Sequence, residues 1–235
     1  MRTYPQPIHI RARRLLTFGH VDPDPGTLRD AAKAGRADLD DLRQAAFTCR
    51  ACDLYRNATQ TVFGSGGEGA ELLLLGEQPG DREDVAGEPF VGPAGRLLDE
   101  ALAAAGIDRQ AVYLTNVVKH FKWRRAPSGK RRIHQKPDRA EVEACRPWLE
   151  GEIARVRPRL IVLLGATAAQ AILGSGFRVT RERGSVRPTS LGPPAVATIH
   201  PSAVLRARTS DDRADALEGL VADLRTAREE LRRMA

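Results

Sequence analysis

Three cysteines and one histidine have the spacing of a site for a soft metal. Cys49 and Cys52 form a Cys-x-x-Cys pair, Cys145 follows much later, and His120 ends a predicted strand on the route to it. Thiolates and imidazole bind zinc and iron–sulfur clusters alike, so the residues alone leave both open. Two unrelated thiols and a core cysteine are the simpler alternative. A redox pair is disfavoured because no thioredoxin-like strand and helix surround the motif.

A second chemically unusual segment is strongly basic. Residues 119–139 carry nine Lys or Arg and one Asp, a local charge of +8, so the rest of the +7 chain sums to −1. Basic side chains neutralise phosphates, and the interleaved Phe121 and Trp123 can stack on bases. The alternative is a solvated surface loop without a binding function. His134 lies in this segment. A neutral imidazole is a nucleophile, but one more phosphate contact is the simpler interpretation of His134 taken alone.

Composition limits the class of protein. The 235 residues are 42% hydrophobic and 29% charged, which argues against a fully disordered chain. Apolar runs are far shorter than the roughly 20 residues that span a bilayer, and no secretory signal begins the chain. We therefore expect a soluble, cytoplasmic protein with no membrane partner, whose three cysteines stay reduced. The sequence pI near 9.8 suggests a polyanionic partner.

The elements that must position these residues alternate between strand and helix. Predicted strands cover Glu71–Gly76, Ala111–Thr115, Leu160–Leu164 and Ala195–Ile199. Predicted helices cover Pro93–Gly106, Arg139–Val156, Ala166–Leu173 and Asp211–Arg233, and a long polar stretch occupies 119–137. This alternation predicts an α/β fold, a three-layer α/β/α sandwich with a mainly parallel, four-stranded central sheet. Residues 1–41 are expected to form an N-terminal arm, and residues 42–235 the domain.

Polar residues follow three of the four predicted strands. Glu77 and Gln78 follow the first, Asn116 follows the second, and His200 and Ser202 follow the fourth. Ligands bind beyond the carboxyl ends of parallel strands, so these residues mark the expected pocket. The Gly-x-Gly-x-x-Gly run at 64–69 is better interpreted as a turn, because it precedes a strand where a nucleotide loop must follow one.

Several blocks, in this order, carry a family resemblance. They are the Cys-x-x-Cys pair, GEQPGDRED at 76–84, GEPFVGPAG at 87–95, TNVVKH at 115–120, KRRIHQKP at 130–137, ACRPWL at 144–149, LLGATAA at 163–169 and HPSAVLR at 200–206. Residues 42–230 thereby resemble the uracil-DNA glycosylase superfamily. They are most similar to its UdgX-type branch, which is related to the iron–sulfur family-four enzymes. The branch assignment rests on three features: GEQPG, the KRRIH loop, and His120 at the position where family-four enzymes have cysteine.

The resemblance implies the glycosylase α/β/α sandwich and a [4Fe-4S] cluster. Its ligands would be Cys49, Cys52, His120 and Cys145, and its role would be to hold together the long excursions between strands. The implied substrate is uracil-containing DNA, preferentially single-stranded, bound by a monomer.

The resemblance also assigns the pocket. Phe90 would stack on uracil, Asn116 would pair with its edge, and His200 would donate to the oxygen that gains charge as the base leaves. Ser202 and Arg206, with the neighbouring Leu205, would contact the DNA. Phosphate contacts are expected from the KRRIH loop, at Lys130, Arg131 and Arg132.

In UdgX-type proteins the residue matching His134 attacks C1′ of the deoxyribose and stays bonded to it. Glu77 would orient that imidazole or accept its proton, and Gln78 would help position the nucleotide. The expected activity is a single-turnover DNA N-glycosylase that becomes attached to the abasic site. Two alternatives stay open: a hydrolytic glycosylase with many turnovers, and a non-catalytic DNA-binding protein that recognises uracil or damage.

Overall fold

The structure, a computed structural model, describes residues 38–127, 129 and 131–235. Its α-helices are α1 (Leu39–Phe47), α2 (Asp81–Ala86), α3 (Pro93–Ala105), α4 (Arg139–Val156), α5 (Ala166–Leu173), α6 (Val179–Glu182), α7 (Pro201–Leu205) and α8 (Ser210–Met234). Its strands are β1 (Leu72–Gly76), β2 (Val112–Asn116), β3 (Trp123–Arg125), β4 (Arg132–His134), β5 (Leu160–Leu164), β6 (Val186–Arg187) and β7 (Ala195–Thr198). Short 3₁₀ helices occur at Asp53–Arg56 and Arg109–Ala111.

The central sheet has the strand order β2-β1-β5-β7-β6. The first four strands are parallel, and β6 joins the edge antiparallel to β7. The mainly parallel α/β sheet is thus confirmed, but it has five strands where the sequence predicts four. The fifth strand, Val186–Arg187, is two residues long, too short to leave an alternating or continuous apolar pattern.

Helices cover both faces of the sheet, which confirms the three layers. Side chains alternate across a strand, so Leu73 and Leu75 point into one core and Leu72 and Leu74 into the other. Helices α1, α4 and α5 contribute to the first core, and α3, α7 and α8 to the second. Helix α3 begins at Pro93 and ends before Gly106, whose φ of +70° suits a glycine cap.

The register brings the polar strand ends to one edge. Gly76 at the end of β1 pairs with Asn116 at the end of β2, and Leu164 at the end of β5 pairs with Thr198 at the end of β7. The loops that carry Glu77 and His200 therefore leave the same edge of the sheet. This is the edge at which the sequence predicts a pocket.

The predicted polar stretch at 119–137 contains a β-hairpin. Strands β3 and β4 pair antiparallel, with Trp123 opposite His134 and Arg125 opposite Arg132. Three-residue strands rich in arginine have no apolar periodicity, so hydrophobic patterning does not predict them. His134 is therefore held in a paired strand and not on an irregular loop.

The start of the domain also differs from the expectation. Helix α1 begins at Leu39, capped by the Asp38 carboxylate, and buries Leu39 and Leu42 in the first core. Residues 39–41, expected in the arm, therefore belong to the folded domain, whereas residues 1–37 lie outside the described part of the chain. Among the described helices, none is both long and apolar enough to cross a membrane.

Candidate functional site

Glu77 and His134 form a pair at the carboxyl edge of the sheet. Oε1 of Glu77 lies 3.2 Å from Nε2 of His134, and Oε2 accepts a hydrogen bond from the Thr167 hydroxyl. Burial alone would raise the pKa of Glu77, but the hydrogen bonds from His134 and Thr167 outweigh it and lower that pKa below its ordinary value. Glu77 is therefore an ionised acceptor that faces an imidazole whose side chain is 50% exposed.

Gln78 ties the hairpin to the end of β1. Its Nε2 donates to the carbonyl oxygens of Lys122 and Gln135 at 3.2 and 3.0 Å, and the Lys122 N–H donates to its Oε1 at 3.1 Å. Lys122 and Gln135 flank the hairpin on its two sides, so one buried amide holds both of its ends. A contact between Gln78 and a nucleotide stays a prediction, since these bonds occupy both ends of the amide.

Arg132 anchors the hairpin from within. Its guanidinium pairs with Asp81 and, at 2.5 Å, with the fully buried Asp84. It also lies 5.4 Å from the ring centroids of Phe121 and Trp123. The sequence predicts Arg132 as a free cation for phosphate, but two carboxylates neutralise its charge. Its contact with DNA stays a prediction, and the geometry supports a role in fixing the loop that carries His134.

Of the other cations expected on DNA, Arg131 and Arg206 are exposed. Arg131 makes no ion pair with any residue that the structure describes, so its charge is available to a polyanion. Arg206 donates to the Ser202 hydroxyl at 2.9 Å, at the end of α7. Lys130 lies outside the described residues.

Phe90 and Asn116 meet above Gly76. A Cβ on Gly76 would clash with Oδ1 of Asn116 and lie 2.7 Å from the Phe90 ring, so only glycine fits beneath them. Phe90 adopts φ of +59°, an uncommon left-handed conformation that sites under functional constraint often contain. Among the described residues, none hydrogen-bonds the Asn116 side-chain amide. A flat ring beside an unengaged amide is suited to stack and pair with a planar heterocycle.

His200 lies beside Phe90 at the same edge of the sheet. Its ring lies 6.4 Å from the Phe90 ring, inclined by 26°. It caps α7, and its Nδ1 accepts the Ser202 backbone N–H at 3.1 Å, so the ring proton of the neutral form is on Nε2. Burial, helped by the charge of Arg206 and opposed by Glu77, lowers the pKa of His200 to about 4. His200 is thus a neutral Nε2–H donor at pH 7.

Cys49, Cys52, His120 and Cys145 line a single cavity. The Trp148 Nε1–H donates to Sγ of Cys49, and the Lys119 N–H donates to Sγ of Cys145, both at 3.2 Å. His120 Nε2 lies 3.0 Å from the Thr61 hydroxyl. The structure therefore brings together four side chains that the sequence spreads over three separate segments.

The donor set of this cavity is one that zinc and iron–sulfur clusters both accept. No three acidic, His or Cys side chains within the described ranges are grouped as a single metal ion requires. Three cysteine sulfurs and one imidazole line a common space, the Lys119 backbone N–H donates to Cys145 and the Trp148 indole N–H donates to Cys49, and a cluster held by these residues stays a prediction. Burial raises the pKa of Cys145 to about 12, so its thiolate form needs a bound cation or cluster.

A buried ion pair lies between the cavity and the pocket. Nζ of Lys119 binds Glu152 and Thr115 at 2.5 Å and the carbonyl oxygen of Asn116 at 2.8 Å, and both charged side chains are at most 1% exposed. This pair is not among the features predicted from the sequence. The available signal was the spacing of Glu152, four residues from both Trp148 and Val156, which places a carboxylate on the buried face of α4. The pair fixes the backbone that presents Asn116.

Several known proteins are similar to this chain. Residues 63–225 match the model of the uracil DNA glycosylase superfamily. The chain is 40% identical to a type-4 uracil-DNA glycosylase of Archaeoglobus fulgidus over 174 residues, 71% of this chain and 83% of the relative. It is 38% identical to proteins of the same name from Thermotoga maritima and Pyrobaculum aerophilum, with 73% and 72% of this chain and 85% of each relative covered. This protein belongs to the uracil-DNA glycosylase superfamily.

Proposed function

We propose that this protein is a uracil-DNA glycosylase of the UdgX-type branch. It excises uracil from DNA, preferentially single-stranded DNA, and remains bonded to the abasic site through His134. The observation that carries the proposal is the pair of Glu77 and His134, held 3.2 Å apart at the sheet edge where Phe90 lies close to Asn116 and His200. The similarity to proteins named type-4 uracil-DNA glycosylases supports the choice of uracil.

Base excision uses the pocket. The target nucleotide first leaves the stack, at a cost of a few kcal/mol, and uracil then stacks on Phe90 with its edge on the Asn116 amide. As the bond from C1′ to uracil N1 breaks, its electron pair moves onto the base. The Nε2–H of neutral His200 donates to the charged uracil oxygen, and a preorganised donor of this kind contributes roughly 2.7–4 kcal/mol to a transition state.

The covalent step consumes the sugar cation that excision leaves. One ring nitrogen of His134 gives its lone pair to C1′, the ring proton passes to the ionised Glu77, and the uracil anion takes up a proton from solvent. No water is added to C1′. The products are free uracil and a nitrogen–carbon bond, which persists because imidazole is a poor leaving group and no activated water attacks it. One protein molecule therefore acts once.

We propose a [4Fe-4S] cluster bound by Cys49, Cys52, His120 and Cys145. When bound, the cluster supplies structural cross-links and no electrons to the substrate. It would connect the segment before β1, the end of β2 and helix α4, and the hairpin lies between the last two. Protein purified without oxygen should be brown, with broad visible absorption and about four iron atoms per chain. A colourless protein with one zinc ion would overturn this assignment.

The decisive experiment mixes the protein with single-stranded DNA that contains one uracil. We expect a species of reduced mobility that survives SDS, with a mass equal to protein plus DNA minus uracil. Mass spectrometry of the peptide spanning residues 125–140 should place the sugar on His134. The same DNA with thymine is the control. Full adduct formation by His134→Ser would mean that another residue is the nucleophile.

A hydrolytic glycosylase with many turnovers is the second candidate. It is supported by the same type-4 relatives, and it predicts a molar excess of free uracil with no adduct. Tight, salt-dependent binding without any release of uracil would instead favour a non-catalytic recognition protein. The single-strand preference is tested by comparing uracil release from single-stranded and duplex DNA. The proposed monomer is tested by measuring the mass of the free protein by light scattering.

A further inference from the structure

Glu77 has a second partner, which the sequence did not predict. Its Oε2 accepts a hydrogen bond from the hydroxyl of Thr167, while its Oε1 faces His134. In the described part of the chain, these two side chains are the hydrogen-bonding partners of the carboxylate. Thr167 is 7% exposed, whereas the His134 side chain is 50% exposed. Thr167 is thus the fixed partner, and His134 the one that must reach the sugar.

The fold brings Thr167 to this position through a tight connection. Helix α5 begins directly after β5, and the turn between them is Gly165 with φ of +94°. A Cβ on Gly165 would lie 2.9 Å from Cβ of His200, so a larger residue would push the helix away from the edge. The second residue of α5 then points at the loop after β1. The same edge therefore presents Glu77, Thr167 and His200, which follow the ends of β1, β5 and β7.

A carboxylate at the end of a flexible side chain can rotate and offer either oxygen in any direction. A hydrogen bond to one oxygen removes that freedom, because the second oxygen then has a defined position. With Oε2 held by a buried hydroxyl, Oε1 points at Nε2 of His134 before DNA arrives. Preorganisation of this kind lowers the barrier of the step that uses the oriented group.

We propose that Thr167 is a positioning residue for the covalent step, acting through Glu77. It contacts neither the sugar nor the base. This inference rests on the proposed function, since it concerns the proton that His134 gives up on bonding to C1′. The proposal concerns the hydroxyl group alone: the hydroxyl of Thr167, and not the size of the Thr167 side chain, sets the rate of adduct formation.

The charged surroundings of Glu77 predict how the rate of adduct formation depends on pH. His134 from the hairpin and His200 from the end of β7 both favour its ionised form, and so does the Thr167 hydroxyl. Removal of that hydroxyl therefore raises the pKa of Glu77 towards the value set by burial. The acid limb of the rate of adduct formation should move to higher pH, because a protonated Glu77 cannot accept the proton of His134.

The test compares Thr167→Val with Thr167→Ser in single-turnover reactions with uracil-containing single-stranded DNA. Valine keeps the shape without the hydroxyl, and serine keeps the hydroxyl. We expect about a tenfold slower adduct formation in the valine variant, the effect of one hydrogen bond to a charged group, and near-normal rates in the serine variant. The matched control is Thr226→Val, which removes a hydroxyl that donates to Ala222 on α8.

The outcomes separate this inference from the proposed function. If the unsubstituted protein forms no adduct, the proposed function fails and the inference falls with it. If the adduct forms but Thr167→Val reacts normally across pH 5–8, the inference alone is overturned. Equal decreases in rate in the valine and serine variants would also overturn it. Should Thr167→Val unfold, Thr167→Ala against Thr167→Ser, each checked by circular dichroism, gives the same comparison.

Discussion

Oε1 of Glu77 lies 3.2 Å from Nε2 of His134, which joins the loop after β1 to the last residue of β4, at the open end of the hairpin. Glu77→Gln keeps the shape but cannot take the imidazole proton. We expect adduct formation to slow by roughly a hundredfold, the lower range for loss of a general base. Gel assays of the SDS-resistant species measure this rate. Glu143→Gln, on the exposed side of α4, is the control and should react normally. A normal rate for Glu77→Gln would remove Glu77 from the step.

Arg132 and Arg131 are neighbours with different surroundings, and their substitution should affect stability differently. Arg132→Met leaves the fully buried Asp84 without its cation, which should lower the free energy of unfolding by roughly 3 kcal/mol. Arg131→Met removes an exposed charge and should change it by less than about 0.5 kcal/mol. Urea unfolding of both variants gives the comparison. Equal stabilities would mean that the ion pair is not maintained in solution.

Arg131 should instead affect DNA affinity. Charge reversal, Arg131→Glu, should weaken binding to single-stranded DNA and reduce the dependence of log K on log salt by about 0.7 for each phosphate that is no longer neutralised. Adding the reversal at Lys130 should extend the effect. Arg232→Glu, an exposed charge near the end of α8, is the control. Fluorescence anisotropy from low to moderate salt measures the slopes, and an unchanged slope for Arg131→Glu would place the DNA path elsewhere.

The buried pair of Lys119 and Glu152 should dominate the stability of the region behind the pocket. Glu152→Gln leaves the Lys119 ammonium without its counter-charge, and we expect the unfolding free energy to fall by about 3–5 kcal/mol. Glu150→Gln, two residues earlier, breaks a partly exposed pair with Arg146 and should cost at most about 0.5 kcal/mol. Chemical denaturation distinguishes the two. Comparable small decreases in both variants would contradict the buried pair.

His200 should make stability depend on pH in a defined direction. Its folded pKa of about 4 lies below the ordinary value of roughly 6.5, so the unfolded chain binds the proton more tightly. Its contribution is complete above about pH 6.5 and declines as pH falls towards 4. The difference in unfolding free energy between the unsubstituted protein and His200→Gln should therefore shrink by at most about 2 kcal/mol from pH 7 to pH 5. An NMR titration that places the His200 pKa at 6.5 or above would contradict this.

The elements that bury apolar side chains could be read from the amino-acid order. Helices α4 and α5 and strand β5 begin and end as the sequence predicts, because their apolar residues recur at the period of each structure. Parallel strands then place their ends together, which is why the sequence places Glu77, Asn116 and His200 at one edge. The four proposed cluster ligands were also identifiable, since their residue types are rare in this chain.

Tertiary structure alone decided what each polar residue contacts. Arg131 and Arg132 are adjacent and chemically identical, yet one is exposed and the other is paired with two carboxylates from α2. The Thr167 hydroxyl reaches Glu77 from another strand end. Hydrogen bonds and ion pairs depend on distances of a few tenths of an ångström and on direction, and these are set by packing between segments remote in the chain. Apolar burial depends mainly on area and repeats along the sequence, so it leaves a pattern that polar pairing does not.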